Sequence, residues 1–259
     1  MKVLITDRNP DGRGRGTLDG RTALVSQAHP GEEILLHVDR QTRGTVQGRV
    51  HKLLRGNADR LAHLCQHAFR CTGCPMLAES LAKEHAFKFS KVETAVVQAS
   101  ESTALIEPLL TPSGAFGYRH YAKQVFAQRD GGIVLGSYVT GTHALVDNAH
   151  CPVLVPALQH LLYTLAAEVG RLGLSKFHDG DKSRGLRYAI VRHSASAGQS
   201  LVLATTQEMH EELVELSKCL VAVLPDLIGV HRHQHRCKQC AFGGETTRVF
   251  LGRVCWKKR

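Results

Sequence analysis

Three cysteines within ten residues form the part of the sequence best suited to chemistry. They are Cys65, Cys71 and Cys74, in the segment CQHAFRCTGC. Thiolates bind zinc, copper(I) and iron–sulfur clusters, and ligand spacing helps to discriminate among these. Zinc modules usually pair their ligands as two C-x2-C knuckles, whereas this segment has the spacing C-x5-C-x2-C. Three close thiolates with a fourth from far along the chain are more typical of an iron–sulfur site, and Cys151 is the candidate for the fourth.

The composition is that of a globular protein of the cytoplasm. Hydrophobic residues make up 43% of the 259 positions and charged residues 22%, both ordinary values. Asp7 and Arg8 interrupt the N-terminus before a signal-peptide core could form, and we see no apolar run of about eighteen residues. We therefore expect a cytoplasmic location and no membrane partner. In a reducing compartment the eight cysteines are better explained as metal ligands or reactive thiols than as disulfides.

The charge balance favours a polyanionic partner. Lys and Arg outnumber Asp and Glu by 33 to 23, so the formal net charge is +10. Aromatic residues make up only 5% of the chain, and extensive stacking of bases on a single-strand platform is therefore not indicated. Contacts to nucleic-acid phosphates are better supported than contacts to bases.

Residues 1–54 are predicted to form a small barrel that carries part of this charge. The strand-like segments KVLIT, TALVSQ, ILLHVD and TVQGRVHKLL are separated by turn signals, with the glycine-rich DGRGRGTLDG between the first two. Many basic residues lie in this segment, and Arg13 and Arg15 are candidates for contacts to a nucleic-acid backbone. The alternative is a solvated basic surface without a ligand.

Residues 55–259 are predicted to form an α+β domain. The patterns follow the order helix, hairpin, helix, hairpin, helix, for which an antiparallel sheet covered by helices is the simplest arrangement. The first helix is expected to begin at Pro75, which would place the cysteine cluster at the positive end of a helix dipole. Basic residues alternate with apolar ones in two of the strands, and they either line one basic face or are ordinary surface charges. They are Arg119, Lys123, Arg187 and Arg192.

Several separated segments together resemble one protein family. The cysteine cluster, GYRHYAKQVFA, LGSYVTGTHALVDNAHC, LRYAIVRHS and GGETTRVFLG occur in the order typical of the central domain of the RNA uracil-5-methyltransferases. The preceding GRGRGTLDGRTALVSQAHPGEEILLHV is similar to a TRAM domain, the small OB-like RNA-binding barrel that comes before the central domain in that family. The resemblance extends from about residue 10 to residue 252.

This resemblance implies a metal cofactor and an RNA partner. Cys65, Cys71, Cys74 and Cys151 correspond to the four ligands of a 4Fe-4S cluster, which would hold RNA-contacting loops in place. The resemblance to bacterial members favours rRNA over tRNA. We therefore expect an α+β protein with an OB-like TRAM barrel over residues 1–54 and a cluster-containing central domain over residues 55–259.

The same resemblance bears on catalysis. Methylation of uracil at C5 requires a nucleophile, a base and an S-adenosylmethionine site, which the family keeps in a C-terminal doubly wound domain. We do not find the motifs of that domain, so no catalytic or cofactor-binding residue is assigned. The chain is expected to be inactive in methyl transfer by itself. S-adenosylmethionine would be bound only with a separately encoded methyltransferase domain.

Two other functions are compatible with the residues. An iron–sulfur electron carrier would use the same four cysteines. A zinc-organised nucleic-acid-binding module would contain zinc in place of iron and sulfide. The segment VHRHQHRCKQC departs from the family and is either a second metal site or an exposed basic loop; its candidate ligands are His231, His233, Cys237 and Cys240.

Overall fold

The computed structural model describes most of the chain as two compact units. The described residues are 1–62, 65–71, 73–100, 106–111, 114–129, 131–139, 144–174, 185–205, 209–234 and 247–252. The first unit comprises Met1–Ala115 and Tyr138–Val146, and the second comprises Phe116–Ser137 and Asp147–Arg259. A search of these residues finds no helix with the length and apolar character needed to cross a membrane.

A closed five-stranded barrel forms the start of the first unit. Its strands are β1 (Lys2–Arg8), β2 (Gly14–Leu18), β3 (Arg21–Ser26), β4 (Glu33–Gln41) and β5 (Thr45–Arg55). The barrel order is β1-β2-β3-β5-β4, and β1 pairs with both β2 and β4. Only the β3 and β5 pair is parallel among these five pairings. This order is that of an OB-like barrel, as predicted.

Glycines allow the barrel strands to approach one another closely. A Cβ atom on Gly16 would lie 2.3 Å from the carbonyl oxygen of Leu4, and one on Gly48 would lie 2.0 Å from that of His37. A larger residue would therefore clash with backbone at either position. The segment DGRGRGTLDG, which has no strand-like hydrophobic pattern, thus contains β2, in which the glycines are buried and Arg15 is exposed.

The helix α1 (Leu81–Ser100) begins later than predicted. The expected start was Pro75, but residues 75–79 form turns. Ser80 precedes the helix, and its side-chain oxygen accepts a hydrogen bond from the backbone N–H of Lys83 at 3.3 Å. A serine cap of this kind stabilises a helix that starts immediately after it. The cysteine cluster is therefore separated from the helix by a turn and does not lie directly at its N-terminus.

A seven-stranded sheet and two helices follow. The strands are β6 (Tyr121–Arg129), β7 (Gly132–Tyr138), β8 (Leu145–Asp147), β9 (Leu186–Ser194), β10 (Gly198–Thr205), β11 (Leu227–Gln234) and β12 (Thr247–Gly252). The helices are α2 (Pro156–Arg171) and α3 (His210–Val223). The sheet order is β12-β11-β10-β9-β6-β7-β8. This α+β arrangement confirms the predicted class.

The prediction of a wholly antiparallel sheet is wrong at one pair. β10 runs parallel to β11, whereas β9 is antiparallel to both β6 and β10. The physical reason is the connection, because α3 carries the chain back along the sheet before β11 begins. A parallel pair requires a crossover of this kind, and a hairpin cannot supply it. The sheet is therefore mixed.

One face of the sheet packs against α2 and α3. The core contains Phe126 of β6, Val191 of β9 and Leu203 of β10 together with Leu162 of α2 and Leu216 of α3. Strand residues of alternate positions enter this core, as the period of a strand requires. The other positions of the same strands project from the opposite face, which α2 and α3 do not cover; we call it the open face, although several of its side chains are buried.

Candidate nucleic-acid interface and cysteine-rich loop

The three clustered cysteines lie on one irregular segment of the first unit. Cys65, Cys71 and Cys74 are all partly buried and fall between β5 and α1. The backbone N–H of Cys71 donates to the carbonyl of His67 at 2.8 Å, and that of Ala68 donates to the carbonyl of Cys65 at 3.1 Å. Consecutive tight turns therefore shape this segment, which we call the cysteine loop (residues 65–74).

A strained barrel residue holds the cysteine loop. Gln27 follows β3 and is 2% exposed. Its φ angle is 59°, a backbone conformation that residues other than glycine rarely adopt. Its side-chain nitrogen donates to the carbonyl oxygen of Cys71 at 2.9 Å. Strain of this kind persists only where the surroundings fix it, and it is concentrated at functional sites. The contact thus ties the position of the cysteine loop to the barrel.

Two carboxylates, the buried Glu32 and the partly buried Glu79, reinforce the same attachment. Glu79 accepts a hydrogen bond from Arg8, and its Oε1 lies 2.7 Å from Nδ1 of the buried His29. Glu32 is fully buried, and both of its oxygens lie 2.7 Å from Nη1 of Arg60. We call these five residues the anchor. Because charges buried in this way are costly to leave uncompensated, the anchor fastens the segment after β5 to the barrel.

The described part of the chain contains no preformed cluster of metal ligands. In a search limited to the residues described here, no three His, Cys, Asp or Glu side chains lie close enough to hold one ion. The donor chemistry suits a soft metal, since Cys65 and Cys71 are free thiols on a short loop. The assignment of Cys65, Cys71, Cys74 and Cys151 as cluster ligands stays a prediction.

Cys151 lies on a turn of the second unit. Its backbone N–H donates to the carbonyl of Asn148 at 3.1 Å, and its own carbonyl accepts from the N–H of Leu154 at 3.0 Å. Its side chain is half-buried and packs against the sheet core. The turn therefore holds the thiol at a defined place.

The turn at Cys151 is joined to one of the predicted basic residues. The N–H of Arg119 donates to the carbonyl of Val153 at 2.8 Å, and the carbonyl of Arg119 accepts from Val155 at 3.1 Å. A third bond connects Gly117 with Pro152 at 3.0 Å. Arg119 thus lies on a short backbone ladder with the residues that directly follow Cys151, although the sequence presents the two as separate candidates.

The two basic candidates of the barrel are paired with neighbouring carboxylates. Arg15 donates to both oxygens of Asp7, at 2.6 and 2.7 Å, and these bonds lower the pKa of that carboxyl. Arg13 donates to Asp11 at 2.8 Å. Burial raises the pKa of Asp11, but hydrogen bonds led by that from Arg13 outweigh it and leave the pKa at about 2. Both arginines are therefore locally neutralised.

Tyrosine rings lie beside the basic candidates of β6 and β9. The Nζ of Lys123 lies 4.1 Å from the ring centroid of Tyr188, and the Cζ of Arg187 lies 5.3 Å from it. The Cζ of Arg192 lies 4.8 Å from the ring centroid of Tyr121. Burial, followed by the charge of Arg187, lowers the pKa of Lys123. Each of these cations thus lies beside a ring. The two tyrosines are not among the residues predicted from sequence, because the strand pattern draws attention only to its basic positions.

The candidate second metal site is described only in part. His231 and His233 lie on β11, and both are buried. Burial lowers the pKa of each imidazole, which favours the neutral form. They pair with Val202 and Ala204 of β10 and so share the open face, as predicted for alternate residues of a strand. Cys237 and Cys240 lie outside the described residues, and this site stays a prediction.

Comparison with known proteins identifies the relatives of the chain. No family model matches it. It is 25% identical to an uncharacterized RNA methyltransferase of Halalkalibacterium halodurans, over 97% of this chain and 56% of that protein. It is 32% identical to the 23S rRNA (uracil(1939)-C(5))-methyltransferase RlmD of Halomonas elongata, over 66% of this chain and 36% of that protein. The relatives of this chain are RNA methyltransferases.

A solved structure has the same fold. The tRNA (uracil-54, C5)-methyltransferase of Pyrococcus abyssi, determined with S-adenosyl-L-homocysteine, superposes with a TM-score of 0.69 and 20% identity. The match covers 98% of this chain and 56% of that one. The chain thus spans about half the length of the curated relatives and of the structure that it matches. The barrel and the mixed sheet are therefore a fold already seen in an RNA-modifying enzyme.

Proposed function

We propose that this chain is the RNA-recognition part of an S-adenosylmethionine-dependent RNA uracil-5-methyltransferase. The observation that carries the proposal is the similarity to RNA methyltransferases along 97% of the chain or more. The likeness in fold to a uracil-C5-methyltransferase supports it. In this proposal the barrel is a TRAM domain, and the second unit contributes the central domain.

The charges of the second unit supply a physical reason for RNA binding. Lys123 of β6 and Arg187 of β9 lie beside the same tyrosine ring, and Arg192 of β9 is two residues along from the position opposite Lys123. Cations gathered in this way attract phosphates and release counterions when they bind them. rRNA is the favoured substrate because the more similar of the named uracil methyltransferases acts on 23S rRNA. The tRNA enzyme shows likeness in fold alone.

The described residues are proposed to bind and orient the RNA. Methyl transfer to uracil C5 needs a nucleophile and a base next to the reacting carbon. S-adenosylmethionine supplies the methyl group when it is bound. We assign neither chemical role to a residue described here, and we place Arg119, Lys123, Arg187 and Arg192 in contact with the RNA backbone. Arg13 and Arg15 take part in the same way only where their carboxylate partners release them.

A 4Fe-4S cluster held by Cys65, Cys71, Cys74 and Cys151 is also part of the proposal. Three thiols on one loop and a fourth on a firm turn are the support for it. The contribution of the cluster would be to fix the loops that carry the thiols, because methyl transfer consumes no electrons. Gln27 and the anchor would keep the cysteine loop shaped for metal binding.

The RNA part of the proposal is tested by binding to a 23S rRNA fragment that contains uridine 1939. We expect the full chain to bind the fragment with an affinity that falls linearly as the logarithm of salt concentration rises. Arg171, an exposed arginine of α2 paired with Glu168, provides the control variant Arg171→Gln. Failure of the wild-type chain to bind this fragment, other rRNA fragments and tRNA would overturn the proposal.

The cluster is tested separately by anaerobic purification with iron, sulfide and zinc analysis and a visible absorption spectrum. We expect about four irons and four sulfides per chain, in line with a cluster ligated by four cysteine thiolates. Cys151→Ala should lose the absorption, whereas Cys219→Ala on α3 should keep it. Zinc alone, or no metal in a folded chain, would contradict the cluster and leave the RNA proposal standing.

A further inference from the structure

The open face of the second unit presents two tyrosines in register. In the antiparallel pairing of β6 with β9, Tyr121 lies opposite Arg192 and Val125 lies opposite Tyr188. Residues that lie opposite each other point to the same face, so both rings project from the face away from α2 and α3. Lys123, opposite Ile190, projects between them. The two ring positions are four residues apart along β9, which corresponds to about 13 Å.

Each ring is accompanied by a cation. Arg192 lies 4.8 Å from the centre of Tyr121, while Lys123 lies 4.1 Å and Arg187 5.3 Å from the centre of Tyr188. Such cations are attracted to the ring and limit its movement. Tyr121 is 37% exposed, and Tyr188 is half-buried, so both rings keep surface that solvent reaches. A fixed ring beside a fixed positive charge suits a flat group attached to an anion.

A nucleotide is the ligand with that chemistry. Every base has a face that can stack on an aromatic ring, and its phosphate can meet a neighbouring cation. Bases in a duplex are already stacked on each other, so only unpaired bases are open to this contact. The two stacking positions are as far apart as the two rings. Lys123 would lie beside the part of the RNA backbone that joins the two stacked nucleotides.

We propose that Tyr121 and Tyr188 each stack against an unpaired base of one RNA strand, whose phosphates lie along Lys123, Arg187 and Arg192. This inference rests on the proposed RNA-binding function and adds to it the side chains that contact the bases. The chain selects unpaired RNA through base stacking, whereas the charge of the same surface alone would attract any nucleic acid. The low aromatic content of the chain does not count against this, because two of its five tyrosines converge on one surface.

The test compares a short unstructured oligouridine with the same strand in a perfect duplex, by fluorescence anisotropy on the full chain. We expect Tyr121→Ala and Tyr188→Ala each to weaken binding of the unpaired strand by about 5- to 100-fold. Tyr121→Phe and Tyr188→Phe should bind like wild type, because both variants keep the ring. Tyr163→Ala is the matched control, since Tyr163 is a 57% exposed tyrosine on α2.

Salt dependence separates stacking from charge. Loss of a stacked base leaves the slope of affinity against salt unchanged, whereas loss of a phosphate contact reduces it by about 0.7 for a single strand. An alanine variant that lowers the slope, or one that binds the unpaired strand as tightly as wild type, would overturn the inference. The proposed function would survive either result, and would fail only if wild type bound no RNA.

A second measurement covers variants that do not fold. Photo-crosslinking of wild type with 5-iodouridine RNA is expected to label peptides that contain Tyr121 and Tyr188. Labelling confined to other peptides would contradict the stacking role, whatever the behaviour of the alanine variants. Both experiments therefore address the same contact from independent directions.

Discussion

The barrel and the open face of the sheet both carry arginine and lysine, but they use them differently. Arg13 and Arg15 of the barrel are held by aspartates one strand or one turn away. Arg192 and Lys123 of the sheet each lie over a tyrosine ring. The comparison teaches that the number of basic residues in a region is a poor measure of its capacity to bind phosphate. What matters is the group that each cation already contacts.

A buried ion pair, Glu32 with Arg60, joins the barrel to the segment after β5, and breaking it should have the largest effect. Glu32→Gln would leave the Arg60 guanidinium buried without its carboxylate, at a cost of about 3–5 kcal/mol. Hydrogen exchange followed peptide by peptide should show faster opening of the barrel and of residues 57–79. Peptides of the second unit should exchange as in wild type.

An exposed ion pair on the same unit gives the control. Lys83 and Asp59 are paired, with their side chains 47% and 64% exposed. Lys83→Gln should therefore cost less than about 1 kcal/mol. Equal exchange rates in the two variants would show that the anchor does not hold the segment after β5 to the barrel.

Removal of cations from the two regions should affect RNA binding unequally. Lys123→Gln and Arg192→Gln should each reduce the slope of log affinity against log salt by about 0.7 to 0.9, which corresponds to one phosphate contact. Arg15→Gln should change the slope less, because Asp7 already neutralises this arginine. Affinity for the 23S rRNA fragment, measured over a series of salt concentrations, provides the comparison.

The variant Asp7→Asn sharpens the same prediction from the opposite side. It removes the negative charge that neutralises Arg15, and it replaces one of the two oxygens that accept from this arginine by a donor. Binding should become tighter and more dependent on salt. If Asp7→Asn weakened binding, the carboxylate would be orienting Arg15 towards the phosphate, and the contrast between the two regions would be wrong.

The two regions should also respond to acid over different ranges. Burial lowers the pKa of His231 and His233, so the unfolded chain binds more protons than the folded one at these positions. Stability of the sheet is then fully present above the unfolded pKa of about 6.5 and is lost as the pH falls through the lower folded pKa. Urea unfolding between pH 7.5 and 5, followed by tyrosine fluorescence and hydrogen exchange at β10 and β11, should show the loss.

A double variant checks that the histidines are responsible. Replacement of His231 and His233 by Gln removes both titrating groups while keeping a polar side chain at each place. Its stability should change little over the same range of pH. A double variant as sensitive to pH as wild type would place the effect elsewhere in the chain.

Hydrophobic periodicity was enough to predict the fold class. It does not encode the direction of β11 or the start of α1, where the structure differs from the prediction. The strands of the second unit alternate buried and exposed residues, so the sheet and its covering helices were predictable. The direction of β11 was not, because its pattern is the same whether it follows a hairpin or the crossover α3. The start of α1 at Leu81 depends on the cap by Ser80. In the sequence, a serine is a weaker signal for the start of a helix than the proline at position 75.

The candidate site was predictable in its residue types but not in its contacts. Alternation in GYRHYAK and LRYAIVRHS predicts a shared basic face, and the register of β6 with β9 puts Lys123 and Arg192 on one face of the sheet. Asp7 and Asp11 neutralise their arginines through pairing across strands and within a turn, which sequence spacing alone does not reveal. The hydrogen bond from Gln27 to Cys71 connects residues 44 positions apart, and no local sequence pattern predicts it.

The smallest expected effect concerns acid and the barrel. The pKa of Asp11 is about 2 in the folded chain, against an ordinary value near 3.9. A carboxyl with a depressed pKa stabilises the fold above its unfolded value, and the contribution disappears as the pH falls from about 4 to about 2. Because the Asp11 side chain is 46% exposed, solvent screening should limit this contribution to less than about 1 kcal/mol.

Hydrogen exchange of the barrel at acid pH tests this small effect. Asp11→Asn should remove that part of the acid sensitivity. Asp19→Asn should not, because the Asp19 carboxylate is 72% exposed and 3.8 Å from Arg21. Identical acid profiles for the two variants would mean that the pair of Arg13 with Asp11 does not stabilise the barrel, and that Arg13 is as available to phosphate as the cations of the sheet.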